Sequence, residues 1–290
     1  MKYGIYYAYW EKQWGGEYIP YVERVAGLGF DILEISCASL IDMSDQQIEE
    51  LRFASENYGI TLTGGYGPKA SENIASDDAA VVANALNFWN KTFRVLEKLD
   101  IRMVGGGLYS YWPVDYSKKI DKEADLARSI AGVRKMADMA ADCGITLGME
   151  VLNRFEGYLL NTAAEGVEFV KAVSCPNVKL MLDTFHMNIE EDSISGAIRT
   201  AGKYLGHFHT GECNRRVPGK GRTPWQEIGC ALRDIGYDDA VVMEPFVLMG
   251  GQVGSDIKVW RDLSEGASSQ HLDKNAKDAL QFTKYVFERG

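Results

Sequence analysis

Four residues able to ligate a metal each close a short apolar run in the second half of the chain: Glu150 in GMEVLNRFE, Asp183 in LMLDTFHMN, His209 in GHFHTGECN and Glu244 in VVMEPF. The intervals between them are 33, 26 and 35 residues, each close to the ~30 residues of one strand–helix unit. An acid at the end of a buried strand costs free energy unless a cation or a proton-transfer role offsets its charge. Capping of the following helix explains any one of them alone, but explains all four together poorly. Three carboxylates and one imidazole form a hard, oxygen-rich donor set, which suits Mn²⁺, Mg²⁺ or Co²⁺ better than the sulfur- and nitrogen-rich sites of structural zinc. A cation so held can polarise vicinal oxygens of a sugar and stabilise the enediolate left when a neighbouring carbon loses its proton. The first and last of the four are glutamates, and a ligand carboxylate with a free oxygen can also act as a base. Two such acids on opposite faces of a planar intermediate would suit the inversion of a carbon.

Further polar residues lie just beyond these points: Glu156, six positions after Glu150, His186, three after Asp183, and Arg215, six after His209. Loop residues there point toward a pocket mouth and can bond hydroxyl groups, with a surface role as the alternative for each taken alone. Tyr6, Trp14, Trp112 and Phe246 offer aromatic faces to the apolar side of a sugar, with core packing as the alternative. His207 alternates with His209 and reads as a satisfied barrel histidine, and His271 as a surface residue. Cys213 is a weak zinc candidate, because the other donors are oxygens. In NRRVPGKGR the basic residues Arg215, Arg216, Lys220 and Arg222 mark a loop, either fully solvated or sending an Arg into a neighbouring site. The small residues Gly64, Gly65 and Gly105 to Gly107 leave room for a ligand or make turns.

The elements that must position these side chains read as eight short runs rich in β-branched and aromatic residues, each followed by helical periodicity. They are Tyr3 to Ala8, Asp31 to Ser36, Thr61 to Gly65, Met103 to Leu108, Thr146 to Leu152, Lys179 to Thr184, Gly206 to Thr210 and Ala240 to Phe246. Val82, Leu86, Trp89, Phe93 and Leu96 fall on one helical face. Ser44 with Gln47 and Thr162 with Glu165 have the spacing of capping boxes. Eight alternating units predict a single α/β domain over residues 1–290, a (β/α)8 TIM barrel with its site at the carboxyl ends of the strands. The competing open doubly wound sheet lacks its Gly-rich first turn: the first strand runs into YYAYWEKQWGGEY, without GxGxxG.

Composition bounds the function. Of the 290 residues 46% are hydrophobic and 25% charged, ordinary for a globular chain, and the formal net charge of −10 disfavours nucleic acid and acidic membrane surfaces. Five cysteines without CxxC spacing fit a reducing cytoplasm. The start, MKYGIYYAYW, lacks a signal-peptide core, and no stretch has the apolar length of a membrane span.

The segments GIYYAYW, GGGLYSYWPVDY, EVLNRFE, NTAAEGV, MLDTFHMNIEEDS, AIRTAG, HFHTGECNRRVPGKGR, VVMEPF and GSDIKVWRDLS resemble those of the ketose 3-epimerases of the D-psicose (D-allulose) and D-tagatose type, within the xylose-isomerase-like barrels. The resemblance covers essentially the whole chain. It implies metal ligands at Glu150, Asp183, His209 and Glu244, with Glu150 and Glu244 doubling as the acid/base pair. It implies contacts from Glu156, His186 and Arg215 to the O1 to O3 end of a ketohexose, and an apolar side of Tyr6, Trp14, Trp112 and Phe246 toward O4 to O6. It further implies Mn²⁺ or Co²⁺ as the cofactor, a homo-oligomer (dimer or tetramer), and interconversion of D-fructose and D-psicose, with D-tagatose and D-sorbose as further candidate substrates. Gly107 departs from the Ala of many relatives, and SCASLID after the second strand is unlike the family's versions. An aldose–ketose isomerase of the same barrel, or a non-catalytic sugar-binding relative, are the alternative expectations.

Overall fold

A computed structural model describes residues 1–289. Eight parallel strands close into a barrel in strict sequence order: β1 Lys2–Tyr6, β2 Ile32–Ser36, β3 Thr61–Gly65, β4 Met103–Gly106, β5 Thr146–Glu150, β6 Val178–Asp183, β7 Leu205–Thr210 and β8 Ala240–Met243. β8 returns to pair with β1. β2, ILEIS, is buried at every position, as expected of strands covered on both faces by side chains inside the barrel and helices outside.

The helices between them are α1 Ile19–Leu28, α2 Asp45–Tyr58, α3 Ala79–Lys98, α4 Lys122–Asp142 and α5 Ala163–Val173. α6 Thr184–Glu190 and α7 Ile194–Ala201 both lie between β6 and β7; α8 Trp225–Asp234 precedes β8, and α9 Gly251–Asp256 and α10 Ser269–Arg289 follow it. On α3, Trp89, Phe93 and Leu96 are buried, with Trp89 and Phe93 stacked at 5.2 Å between ring centroids. Ser44 and Gln47 form the full capping box at the start of α2. At α5 the box is offset: Thr162 accepts from the Glu165 N–H, but the Glu165 carboxylate reaches back to the N–H of Asn161, at 2.7 Å, rather than to that of Thr162.

Several strands are shorter than their apolar runs. β1 stops at Tyr6 because Tyr7–Trp10 coil into a 3₁₀ turn, and β8 stops at Met243, so Glu244 stands one residue past the strand end. β4 ends at Gly106, whose φ of +127° turns the chain where a Cβ would lie 2.1 Å from the Tyr66 carbonyl oxygen. These runs continue as buried loop, so apolar character outlasts the ladder.

The barrel floor depends on missing side chains. A Cβ on Gly105 would lie 2.2 Å from Met181 Sδ, and one on Gly65 would lie 3.3 Å from the Tyr6 ring. Glycine at both positions lets larger neighbours occupy the barrel axis. Between β6 and β7 the register shifts after Leu180, so that Met181 pairs with His207 and Asp183 with His209. That irregularity sets Asp183 and His209 level at the strand ends.

Candidate active site and metal centre

Glu150 ends β5, Asp183 ends β6, His209 is the penultimate residue of β7, and Glu244 follows β8. Each offers one ligand atom, and those four atoms all lie within 4.8 Å of one another. A two-way clasp keeps two of these strand ends together: Thr184 Oγ1 donates to the Gly211 carbonyl at 2.7 Å and accepts from the Gly211 N–H at 2.9 Å. The Glu244 N–H donates to the Thr210 carbonyl at 2.9 Å, and the Tyr109 hydroxyl donates to the Glu150 carbonyl at 2.8 Å.

The donor set passes a test of fit for a divalent cation. Asp183 Oδ2 and His209 Nδ1 are buried polar atoms with no hydrogen-bond partner, a costly state unless a ligand satisfies them. They face each other at 3.9 Å, and His209 Nδ1 stands 3.7 Å from Glu244 Oε1. The remaining atoms of both residues are committed elsewhere: Asp183 Oδ1 accepts from the Phe185 N–H at 2.6 Å, and His209 Nε2 lies 2.6 Å from Glu34 Oε1. Both side chains thus turn their free atoms toward the cluster.

Electrostatics among these side chains follow from crowding. Burial, reinforced by repulsion from Glu244, pushes the Glu150 carboxyl well above its ordinary pKa, with His209 opposing. Burial disfavours charge on His209, but Glu34 and Glu244 outweigh it and hold the imidazole well above its usual value. Burial alone would raise Glu156, yet His186 and Arg215 lower it overall. A divalent charge would relieve the repulsion between the acids.

Above the cluster opens a cavity of about 360 Å³. All seven residues expected to contact a substrate line it: Tyr6, Trp14, Trp112, Glu156, His186, Arg215 and Phe246. Glu150, His209 and Glu244 reach its floor, and Asp183 is fully buried beneath. Arg215 is the one basic residue of its loop that turns inward, 5% exposed, while Lys220 and Arg222 stay on the surface. Its guanidinium lies 3.6 Å from the Phe185 ring centroid and bonds Glu244 Oε2 at 3.4 Å and Glu156 Oε1 at 3.2 Å. His186 stands 3.5 Å from Glu150 Oε1, and its Nδ1 is 2.7 Å from Asn153 Nδ2, which also donates to Glu156 at 3.1 Å. Opposite, Tyr6, Trp14 and Phe246 form an aromatic wall with centroids 6.1 to 6.5 Å apart, and Trp112 meets Trp14 edge-on at 6.3 Å. One side of the cavity is therefore polar and the other apolar.

The sequence reading missed Glu34, a fully buried acid in the middle of β2. Its only sequence signal is an acid inside an otherwise apolar run. It also missed Asp256 of α9, which lines the cavity and accepts from Trp14 Nε1 at 2.8 Å. His207 is a buried barrel histidine whose Nε2 bonds Glu34, but its Nδ1 has no hydrogen-bond partner, so it is only half satisfied; His271 is exposed. Cys213 does not join the cluster.

A closed parallel barrel with acids and an imidazole at its carboxyl-end mouth defines a class, and residues 22–282 match the family model of xylose isomerase-like TIM barrels. Within that class, a relative from Ruminiclostridium cellulolyticum named D-psicose 3-epimerase is 60% identical over 288 residues, spanning 99% of this chain and 98% of its own. A crystal structure of D-psicose 3-epimerase with D-tagatose from Clostridium cellulolyticum H10 superposes with a TM-score of 0.98 at 60% identity, covering 99% of this chain and 100% of the other. A second crystal structure, of D-psicose 3-epimerase in the presence of D-fructose, gives 0.98 at 57% identity, covering 99% of each. The chain belongs to the ketose 3-epimerase family: it is an isomerase-class enzyme that acts on carbohydrates.

Proposed function

We propose that the enzyme epimerises free ketohexoses at C3, interconverting D-fructose and D-psicose, and that it acts on D-tagatose and D-sorbose as lesser substrates. The relatives' names supply the sugar class. The observation that carries the mechanism is the division of labour in Glu244: Oε1 faces His209 on the metal side, and Oε2 faces Arg215 on the cavity side. One carboxylate can then serve as a ligand through one oxygen and exchange a proton through the other.

Glu150, Asp183, His209 and Glu244 would hold the cation, with Mn²⁺ preferred over Co²⁺ or Mg²⁺ for this oxygen-rich set. When bound, it supplies Lewis-acid stabilisation of the negative charge that develops on the sugar oxygens. Glu150 and Glu244 enter from β5 and β8, which are separated in the barrel by β6 and β7. One glutamate takes the C3 proton and the other returns a proton to the opposite face. His186, Glu156 and Arg215 orient the O1 to O3 end by hydrogen bonds, and the wall of Tyr6, Trp14, Trp112 and Phe246 packs on the O4 to O6 end and excludes water.

We further place the protein in the cytoplasm as a dimer or tetramer. The free cysteines support a reducing compartment, and the exposed Phe155 and Trp260, lining a second groove beside the mouth, support a covered face. No helix among the described residues is long and apolar enough to cross a membrane. The test of the reaction is the product formed from D-fructose by the Mn²⁺-loaded protein. Psicose is the expected product, and an aldose would assign an aldose–ketose isomerase instead.

A further inference from the structure

Glu34 stands two residues from the end of β2, fully buried and not itself lining the cavity. A carboxylate in that position costs several kcal/mol unless its oxygens are saturated. They are. Oε1 lies 2.6 Å from His209 Nε2, while Oε2 lies 2.8 Å from His207 Nε2 and accepts from Thr63 Oγ1 at 2.8 Å. The three partners come from β3 and β7, so the plane of the carboxylate is fixed by directional bonds from two strands of the barrel. Gly65 and Gly105 border this network at ordinary contact distance, a Cβ there lying 3.5 Å from Glu34 Oε1 and 3.7 Å from His207 Cδ2.

We propose that Glu34 is a positioning residue for the metal centre, holding the His209 ring by Nε2 so that Nδ1 points at Asp183 and Glu244. An imidazole that donates from one nitrogen presents a lone pair at the other. An ionised carboxylate can only accept, so the bond to Glu34 makes Nε2 the donor. Nδ1 is left as the ligand atom, buried and without another partner. His207 and Thr63 act one step further back: by occupying Oε2 they stop the carboxylate from swinging away from His209. This explains why the run HFH in β7 carries two inward histidines, of which one faces the candidate cation and the other braces the acid behind it. The assignment rests on the four-residue metal site proposed above.

The test is a calorimetric titration of Mn²⁺ into chelator-stripped wild type, Glu34→Gln and Asp183→Asn, with the thermal midpoint of each variant recorded before and after metal. Glu34→Gln should weaken Mn²⁺ by about 10- to 100-fold and shrink the metal-induced rise in midpoint, beyond any loss of midpoint in its stripped form. A purely structural Glu34 would lower the stripped midpoint and leave affinity intact, which overturns the proposal. Wild-type affinity in Glu34→Gln alongside lost affinity in Asp183→Asn would sink the role of Glu34 and leave the four-residue site standing. Wild-type affinity in Asp183→Asn would instead sink the site itself. Should Glu34→Gln fail to fold, Thr63→Val removes one bond to Oε2 and keeps the charge. A smaller loss of Mn²⁺ affinity is expected there, and an unchanged affinity would overturn the proposal.

Discussion

Glu150 and His209 bind protons unusually tightly among their neighbours, for opposite reasons. Burial and then Glu244 favour the neutral carboxyl of Glu150; Glu34 and Glu244 outweigh burial and favour the charged imidazole of His209. A cation takes a carboxylate and a neutral imidazole, so binding must expel protons, and affinity must rise with pH. Mn²⁺ titrations between about pH 6 and about pH 8, run in buffers of different ionisation heat, should show that rise together with proton release. A flat affinity would contradict the ligand assignment. Replacing Glu150 or Glu244 with Gln removes the exchangeable carboxylate at nearly constant shape. The rate of ketose epimerisation should fall by about 10²- to 10⁴-fold, and Mn²⁺ binding should weaken as well. A near-normal kcat in either variant would remove that glutamate from proton transfer. The four candidate ligands were legible in the chain because each closes an apolar run at the spacing of a βα unit. Glu34 was not, because its meaning lies in His207 and His209, 173 and 175 residues away.

At the level of elements, loops do the aiming. Arg215 adopts φ of +62°, an uncommon backbone state for a non-glycine residue, and is held there by its N–H to the Glu212 carbonyl and by the Phe246 N–H to its own carbonyl, both at 2.9 Å. Glu212, fully buried, staples the rest of the loop by accepting from the Gly219 N–H, the Thr223 N–H and Trp225 Nε1 at 2.8, 3.1 and 2.8 Å. In Glu212→Gln an amide donor must face these donors, which costs about 1–3 kcal/mol. The thermal midpoint should fall and KM for the ketose should rise more than kcat falls; unchanged KM would show that Arg215 is held without the staple. Gly105→Ala sets a methyl against Met181 Sδ and should destabilise the barrel by about 1–3 kcal/mol in a denaturant titration, whereas a neutral result would mean that the floor repacks freely. The strands themselves were readable from apolar runs, but their ends were not. Backbone turns at Tyr7 and Gly106 stop the ladder while the residues stay buried, and hydrophobicity carries no mark of that change. Arg215 was distinguishable from Arg222 only by its distance from His209, since both sit in one basic loop.

Over the whole molecule, in-order closure of the barrel gathers side chains from most of its strands at one mouth, with a polar side formed by Glu156, His186 and Arg215 and an aromatic side formed around Trp14. Under the proposed function, this asymmetry would orient a sugar so that C3 meets the two glutamates. The net charge of −10 is compatible with a neutral substrate that needs no electrostatic steering. What defines the reaction is the carbon that loses and regains a proton. Incubation of the Mn²⁺-loaded enzyme with D-fructose in D₂O, followed by NMR of the recovered sugars, locates that carbon directly. Deuterium at C3, accompanied by psicose, is the predicted result; deuterium confined to C1 or C2, with an aldose formed, would contradict C3 epimerisation by this site.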